Sequence, residues 1–213
     1  MKAEVFLFSN SDLSQENIQM TEMQFRTGKR IYLRPFKVSD TQTLQKWMND
    51  WSVTQYLGRV LPTSEREELA WIENQGKSKS DIVLAIVTRE GDNFIGCIGL
   101  HNINWVHRTA ISGTILGEED RRGKGYGPEA KMLLLDLAFN ALDLYGVVSQ
   151  VMENNVRSLA YGKKSGYVEV GRIPKWLRSK TGERCDEVLL LITQEKWRPL
   201  WNEYLNQTQA SDT

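Results

Sequence analysis

The segment RRGKGYGPEA, residues 121–130, constrains the fold most, because it sets three glycines at alternate positions directly before a long apolar run. Glycines let a backbone approach a ligand closely and aim several N–H groups at one point. Pro128 suits the first turn of a helix, where the N–H group that it lacks would have no partner. A helix N-terminus also carries the positive end of the helix dipole. The segment therefore predicts a pyrophosphate site at the start of a helix over residues 128–145.

The charged residues of this segment support the same interpretation. Arg121, Arg122 and Lys124 carry positive charge that phosphate groups would neutralise. A Walker loop requires Ser or Thr after its Gly-Lys pair, whereas Gly125 follows Gly123-Lys124 here. A dinucleotide fingerprint has the spacing G-x-G-x-x-G, and this segment has G-x-G-x-G. The alternative that stays open is a flexible, solvated turn between a strand and a helix.

Length and composition indicate one globular domain. The 213 residues contain 27 basic and 27 acidic side chains, so the formal net charge is zero, whereas non-specific nucleic-acid binders are normally basic. Cys97 and Cys185 have neither a metal-binding spacing nor a disulfide framework. No run approaches the roughly 18 apolar residues of a membrane span, and the chain opens without a secretory leader. We therefore expect a cytoplasmic protein with no nucleic-acid or membrane partner.

Apolar periodicity predicts an α+β domain with a mixed sheet. Helices alternate with strands, and two helix starts carry capping-box pairs, Ser39 with Gln42 and Ser64 with Glu67. The predicted strands lie at residues 30–36, 81–88, 93–100, 110–116, 146–152, 167–173 and 187–192.

The ends of the chain are more polar than its centre. We expect a main domain at residues 29–206, after an N-terminal extension at 1–28 that contains a short strand at 1–8. A polar tail is expected at 207–213. Pro199 must fall in the first turn of the C-terminal helix or kink that helix.

These motifs together resemble the GNAT acyltransferase superfamily. Its signature for the pyrophosphate of coenzyme A, Q/R-x-x-G-x-G/A, is matched by Arg122, Gly125 and Gly127. The resemblance covers about four-fifths of the chain and implies a single domain whose central sheet of about seven strands is splayed in the middle and flanked by helices on both faces. It also implies acetyl-CoA as co-substrate and no metal. Three segments resemble the branch of ribosomal-protein N-terminal (RimJ/RimL-like) and spermidine acetyltransferases: LRPFKVSD, ILGEEDRRGKGYGPEA and NNVRSLAYGKKSGYVEVGRI.

The resemblance implies three groups of cofactor-binding residues. The strand before the loop would splay and pair with the pantetheine arm, the loop would hold the pyrophosphate, and an NxxS pair would lie near the cofactor. For that pair, helix capping is an open alternative. The residues are Ile115, Leu116 and Gly117 in the strand, Arg122, Gly123, Lys124, Gly125, Tyr126 and Gly127 in the loop, and Asn155 and Ser158 in the pair.

The predicted catalytic residues depart from the superfamily's pattern. Many members place a tyrosine that acts as general acid seven residues after the asparagine of the pair, where this chain has Gly162, next to Tyr161. Tyr161, Ser158 or a water is therefore the expected general acid. Some members carry a glutamate that acts as general base at the position of Gln150. The candidates for the base are Glu118, which we place with Ser158 and Tyr161 in the predicted catalytic set, and Glu119, His101, Glu153 or a water chain.

The acceptor is expected to be a primary amine, first of all a protein or peptide N-terminus, because an α-amine has a pKa of about 8 and needs less help from a base than lysine. The alternatives are a polyamine, aminoglycoside or amino sugar, or a regulatory module that binds coenzyme A without catalysis. A homodimer is a further expectation. Aromatic residues that belong to either the core or the acceptor pocket are Trp47, Trp51, Tyr56, Trp71 and Trp176. Acidic residues that a polyamine pocket could use are Asp50, Glu65, Glu67, Glu68 and Glu73.

Overall fold

An eight-stranded mixed sheet forms the centre of the computed structural model, which describes residues 24–209. The predicted strand at residues 1–8 and the tail residues 210–213 lie outside the described residues. The strands are β1 (Arg26–Thr27), β2 (Ile31–Arg34), β3 (Ile82–Thr88), β4 (Phe94–Asn104), β5 (Thr109–Leu116), β6 (Gly146–Met152), β7 (Val168–Arg178) and β8 (Arg184–Thr193). Their order is β1-β2-β3-β4-β5-β6-β8-β7, and β1, which the sequence did not predict, adds the eighth strand.

The sheet splays between β5 and β6, as expected. These two parallel strands pair over three residues, from Thr109 with Gly146 to Ile111 with Val148. Beyond that point β5 continues alongside β4 up to Leu116, while β6 continues alongside β8. The second half of β5 therefore has an edge that faces β6 without pairing to it.

The described residues form six α-helices and one π-helical segment. The expected helix over residues 128–145 is wrong in both bounds: α4 begins two residues earlier, and the chain widens into a π-helix after Asp136. A hydrogen bond from the Leu142 N–H to the Leu137 carbonyl, 3.0 Å long, spans the wider turn. The helices are α1 (Thr41–Met48), α2 (Trp51–Thr54), α3 (Glu65–Glu73), α4 (Tyr126–Asp136), α5 (Val156–Lys164) and α6 (Gln194–Gln209), and the π segment is Leu137–Ala141.

One of the two predicted capping boxes is confirmed. The Ser64 hydroxyl accepts from the Glu67 N–H, and Glu67 accepts from the Ser64 N–H, at the start of α3. The predicted capping box of Ser39 with Gln42 is wrong, because the chain makes a 3-10 turn there. In that turn Asp40 accepts from the Lys37 N–H. Asp40 is held in place by Arg34, whose guanidinium donates to both carboxylate oxygens at 2.7 and 2.8 Å.

Helices cover both faces of the sheet. On one face, Leu133 and Leu134 of α4 and Trp197 of α6 pack with strand residues in the main core. On the other face, Trp47 of α1 and Ile72 of α3 pack with sheet residues in a smaller cluster. Within residues 24–209, no helix combines the length and apolar character needed to cross a bilayer.

The C-terminal part of the domain is more regular than predicted. The segment at residues 174–185, between the last two predicted strands, is largely strand, since β7 runs to Arg178 and β8 starts at Arg184. Pro199 lies in the second turn of α6, so of its two expected alternatives the place in the first turn is wrong and a kink of the helix stays a prediction. The predicted domain boundaries stay predictions, with β1 inside the expected extension and α6 ending inside the expected tail.

Candidate active site

The glycine loop ends at the N-terminus of α4, with two of its glycines in the left-handed region. Gly123 has φ = +75° and Gly125 has φ = +87°, a conformation that side chains with a Cβ rarely adopt. Gly125 caps α4, so the free N–H groups of the first helical turn point back toward the loop. A Cβ at Gly123 would meet open space. The loop thus has the backbone geometry of an anion site.

Arg30, which the sequence did not single out, holds this loop in place. Its Nη1 donates to the Lys124 carbonyl at 2.7 Å, and its Nε pairs with the buried Glu129 carboxylate at 3.0 Å. A Cβ at Gly125 would come within 2.8 Å of Arg30 Nη2. The end of the Arg30 side chain can shift, so the positive φ of Gly125 is the stronger reason for glycine at this position.

Arg122 and Lys124 differ in their surroundings. The Arg122 guanidinium donates from Nε to the Leu116 carbonyl at 3.2 Å and from Nη2 to the Gly117 carbonyl at 3.1 Å. It therefore ties the loop to the end of β5. The Lys124 side chain is exposed and has no hydrogen-bond or ion-pair partner among the described residues.

The open edge of β5 presents its backbone in an alternating pattern. The Gly117 N–H donates to the Ile95 carbonyl on β4, 3.0 Å away. Because hydrogen-bonding direction alternates along an antiparallel strand, the backbone groups of Leu116 and Thr114 face the β6 side. Of the residues expected to pair with pantetheine, the geometry favours Leu116, and it adds Thr114, which the sequence did not indicate.

Gly117 and Glu118 lie against α1. The Trp47 ring occupies the space that a side chain at Gly117 would need. Glu118 Oε1 accepts from Trp47 Nε1 at 3.0 Å and from Lys46 Nζ at 3.2 Å. The pKa of Glu118 is lowered mainly by the hydrogen bond from Trp47 and next by the hydrogen bond from Lys46. These contacts favour a structural role for Glu118 over the role of general base.

The NxxS pair caps α5. Asn155 Oδ1 accepts from the Ser158 N–H at 3.1 Å, so this contact is a helix cap, which was the open alternative for the pair. The Ser158 hydroxyl has no hydrogen-bond partner within residues 24–209 and is half-buried. A side chain at Gly162 would come within 2.6 Å of Leu190, so the position of the superfamily's tyrosine has no free space here.

Tyr161 points into the protein at the splay. Its hydroxyl lies 3.0 Å from Thr114 Oγ1 on the open half of β5. Its ring lies beside Gly127 of α4, where an added Cβ would be 3.3 Å from the ring. Burial is the main cause that raises the pKa of Tyr161.

A buried lysine lies under the point where β5 and β6 separate, and no sequence pattern singled it out. Lys131 of α4 is 1% exposed, and its Nζ donates to Ser112 Oγ at 2.9 Å. Ser112 Oγ also lies 2.9 Å from the Tyr167 hydroxyl. The Lys131 ammonium lies 5.5 Å from the ring centres of both Tyr161 and Tyr167. Burial lowers the pKa of Lys131 to about 7.

A cleft of about 170 Å³ opens on the opposite face of β4 and β5, beneath α1 and α3. Its floor includes His101, Gly113 and Ile115, so it reaches the same strand that splays from β6. His101 Nδ1 lies 3.3 Å from Asp81 Oδ1. His101 is thus the predicted base candidate that lies in this cleft.

The remaining base candidates lie elsewhere. Glu119 is exposed in the turn before the glycine loop. Glu153 accepts from the Asp186 N–H at 2.9 Å and lies 3.8 Å from Arg172. Five aromatic residues were expected to belong to either the core or the acceptor pocket. Of these, Trp47 is 1% exposed and belongs to the core, and Trp71 lines the cleft.

Comparison with known proteins identifies the family. The family model described as an acetyltransferase (GNAT) domain matches residues 30–168, more than half of the chain. The chain belongs to the GNAT acetyltransferase family. It is accordingly an N-acetyltransferase that depends on acetyl-CoA, and the predicted family, fold class and enzyme class are confirmed.

Several relatives of this GNAT acetyltransferase are known. An uncharacterized N-acetyltransferase of Bacillus subtilis (strain 168), YnaD, is 25% identical, with 80% of this chain and 98% of the relative covered. The spermidine N(1)-acetyltransferase of Vibrio cholerae is 24% identical, with 68% and 83% covered.

Solved structures agree with the fold. The crystal structure of spermidine N-acetyltransferase from Vibrio cholerae in complex with CoA and spermine has a TM-score of 0.72 at 22% identity, covering 78% of this chain and 97% of that one. A putative acetyltransferase from T. thermophilus has a TM-score of 0.70 at 26% identity, covering 85% and 95%. In the described part of this GNAT acetyltransferase, no group of three or more His, Cys, Asp or Glu residues is placed to hold a metal ion.

Proposed function

We propose that this enzyme acetylates a primary amine that enters the cleft beneath α1 and α3. The observation that carries the proposal is the position of β5, which borders the splay on its edge and the cleft on its face. The backbone groups of Thr114 and the N–H of Leu116 would hold the amide-bearing arm of acetyl-CoA, because they face the unpaired edge, whereas the Leu116 carbonyl accepts from Arg122. The first turn of α4 and the loop at Gly123 and Gly125 would hold the pyrophosphate.

The chemistry requires a neutral amine and a proton for the departing sulfur. We propose that His101 takes the proton of the amine, directly or through a water, because it lies in the cleft and an imidazole nitrogen can accept a proton. Asp81 would orient the ring through the contact to Nδ1. For the proton given to the sulfur, Ser158 or a water is the stronger candidate than Tyr161, whose hydroxyl is engaged with Thr114.

Small amines are the acceptor class that the cleft favours. The cleft is narrow, mostly apolar and contains a buried carboxylate on α3. A protein N-terminus is the second candidate, supported by exposed aromatic side chains at Trp51 and Trp176 that could contact a peptide. Cytoplasmic location, the homodimer and the expected absence of metal, nucleic-acid and membrane partners stay predictions.

A thiol-release assay tests the proposed function. Purified protein is incubated with acetyl-CoA and a panel of small amines and N-terminal peptides, and free coenzyme A thiol is measured over time. We expect acceptor-dependent thiol release by at least one class. Tight binding of acetyl-CoA without any acceptor-dependent release would instead indicate a regulatory module that binds coenzyme A.

Two variants separate the base candidates. His101→Gln should lower kcat/KM most at neutral pH and less at high pH, where the amine is already neutral. Glu118→Gln should leave the shape of the pH profile unchanged, because Glu118 is bound to Trp47 and Lys46. The opposite result would assign the base to Glu118.

A further inference from the structure

Glu68 is a buried carboxylate whose pairing is incomplete. Its side chain is 4% exposed, and its Oε1 has no hydrogen-bond partner in the described part of the chain. The nearest cation is Arg59, whose Nη1 lies 3.6 Å away and whose side chain is 43% exposed. Burial raises the pKa of Glu68, and the charge of Arg59 opposes that rise only in part. The neighbouring Thr63 hydroxyl also lowers the pKa, although neither its oxygen nor Glu68 Oε1 meets hydrogen-bond geometry with a partner in the described part of the chain. A group that destabilises the fold in this way requires an explanation.

The cleft around Glu68 has the chemistry of a site for a cation. Its other walls are largely apolar, with Leu44 and Met48 from α1 and Ile115 from β5. The neighbouring Cys97 thiol stays neutral, because burial raises its pKa to about 12. Trp71 adds an aromatic wall, which is the kind of surface that ammonium groups contact. Glu68 is therefore the acidic side chain that lines the cleft, where Arg59 is the basic one.

The other acidic residues of α3 do not share this position. Glu65, Glu67 and Glu73 are exposed, and Glu67 is used in the capping box with Ser64. Glu68 lies one helical turn from Ile72, which is buried in the cluster between α3 and the sheet. The helix thus turns one carboxylate of several toward the cleft.

We propose that Glu68 binds an ammonium group of the acceptor, and that the preferred acceptors are primary amines with a second positive charge. Arg59 holds the carboxylate until the ammonium takes its place, since Arg59 is half-exposed and its contact with Glu68 is longer than a hydrogen bond. The second nitrogen then lies toward β5, where the acetyl group would be delivered. This inference rests on the proposed function, because it assigns the cleft to the acceptor.

The experiment compares matched pairs of acceptors. Each α,ω-diamine of a short series, such as 1,4-diaminobutane, is paired with the monoamine of the same chain length, such as butylamine. The wild-type enzyme should prefer the diamine in kcat/KM. Glu68→Gln should reduce that preference by about tenfold or more, mainly through KM, because a paired charge is lost. Glu73→Gln is the control on the same helix, with the same change in net charge, and should keep the preference.

A second variant keeps the test independent of the folding of Glu68→Gln. Arg59→Gln should bind the diamine more tightly than the wild type does in calorimetry without acetyl-CoA, because the competing cation is gone. Equal preference for diamines and monoamines in the wild type, or an unchanged preference in Glu68→Gln, would overturn the inference.

The two proposals fail in different ways. If small amines are acetylated without regard to a second charge, the proposed function stands and the role of Glu68 is refuted. If no acceptor supports thiol release while the diamine still binds through Glu68 in calorimetry, the cleft binds cations and the proposed function is refuted. If N-terminal peptides are acetylated and Glu68→Gln leaves their kinetics and diamine binding unchanged, the diamine inference is wrong.

Discussion

The hydroxyl oxygens of Tyr161 and Thr114 lie 3.0 Å apart and join α5 to the half of β5 that has no partner on its β6 side. Burial raises the pKa of the Tyr161 phenol, so it holds its proton firmly at neutral pH. The adjacent position, Gly162, has no room for a side chain beside Leu190. Tyr161 is therefore placed to support the strand at the splay.

Tyr161→Phe should lower kcat by less than tenfold and leave the Kd for acetyl-CoA nearly unchanged, because one buried hydrogen bond contributes about 1 kcal/mol. Ser158→Ala should cost more in kcat/KM. Steady-state kinetics with one accepted amine measure both variants. A loss of ~10²–10⁴-fold in Tyr161→Phe would instead assign general-acid catalysis to the tyrosine.

Gly125→Val should weaken acetyl-CoA binding by about tenfold or more, because the added side chain meets Arg30 and obstructs the loop. Gly76→Val is the matched control, since Gly76 shares the positive φ, borders open space and lies outside the loop. Both variants should lose about 1 kcal/mol of stability through backbone strain. Calorimetric titration of folded protein is the measurement, and equal affinities in the two variants would contradict the role of Gly125.

Lys124→Gln should weaken acetyl-CoA binding modestly at low salt and hardly at all at high salt, because an exposed charge is screened beyond about 8 Å at physiological ionic strength. Arg122→Gln should weaken binding at every salt concentration, because Arg122 holds the carbonyls of Leu116 and Gly117. Affinity measured across a salt series separates the two. A loss in Arg122→Gln that vanishes at high salt would show that Arg122 acts only as a charge.

Lys131 should make the stability of the protein depend on pH above neutrality. In the folded protein its pKa is about 7, whereas an unfolded lysine has a pKa of about 10.4. Between these two pKa values the lysine is protonated in the unfolded chain and neutral in the folded protein. The free energy of unfolding therefore rises with pH across this window and falls as the pH is lowered toward 7.

Lys131→Met should abolish that rise. The difference in unfolding free energy between wild type and Lys131→Met should change by up to about 1.4 kcal/mol per pH unit within this window. Urea unfolding at several pH values from neutrality upward gives the difference, in which other titrating groups cancel. A difference that stays constant with pH would show that Lys131 is charged in the folded protein.

Local patterns in the sequence were sufficient for the parts of the structure that local physics controls. Alternating apolar residues placed β3 to β6 closely, and Ser64 with Glu67 marked the start of α3, because side-chain alternation and capping act within a few residues. Glycines at alternate positions before a helix likewise indicated a turn with unusual backbone angles, and Gly123 and Gly125 adopt the left-handed region, which glycine enters without strain.

Contacts between distant segments could not be inferred in this way. The hydrogen bonds of Arg30 to Lys124 and of Lys131 to Ser112 depend on the register of strands and on how α4 crosses the sheet. The predicted capping box of Ser39 with Gln42 was wrong for the same reason. Asp40, held by Arg34, accepts the backbone N–H at that turn. No periodicity along a chain encodes which of several partners a charged side chain meets once the core has formed.

The sequence alone therefore determined the family, the order of the elements and the place of the glycine loop before α4, all of which follow from residue type and spacing. Packing in three dimensions selected Glu68 among the acidic residues of α3, turned Tyr161 toward Thr114 and tied Arg122 to the end of β5. The physical reason is that burial and charge pairing depend on which surfaces come together, and that depends on the assembled sheet and its helices.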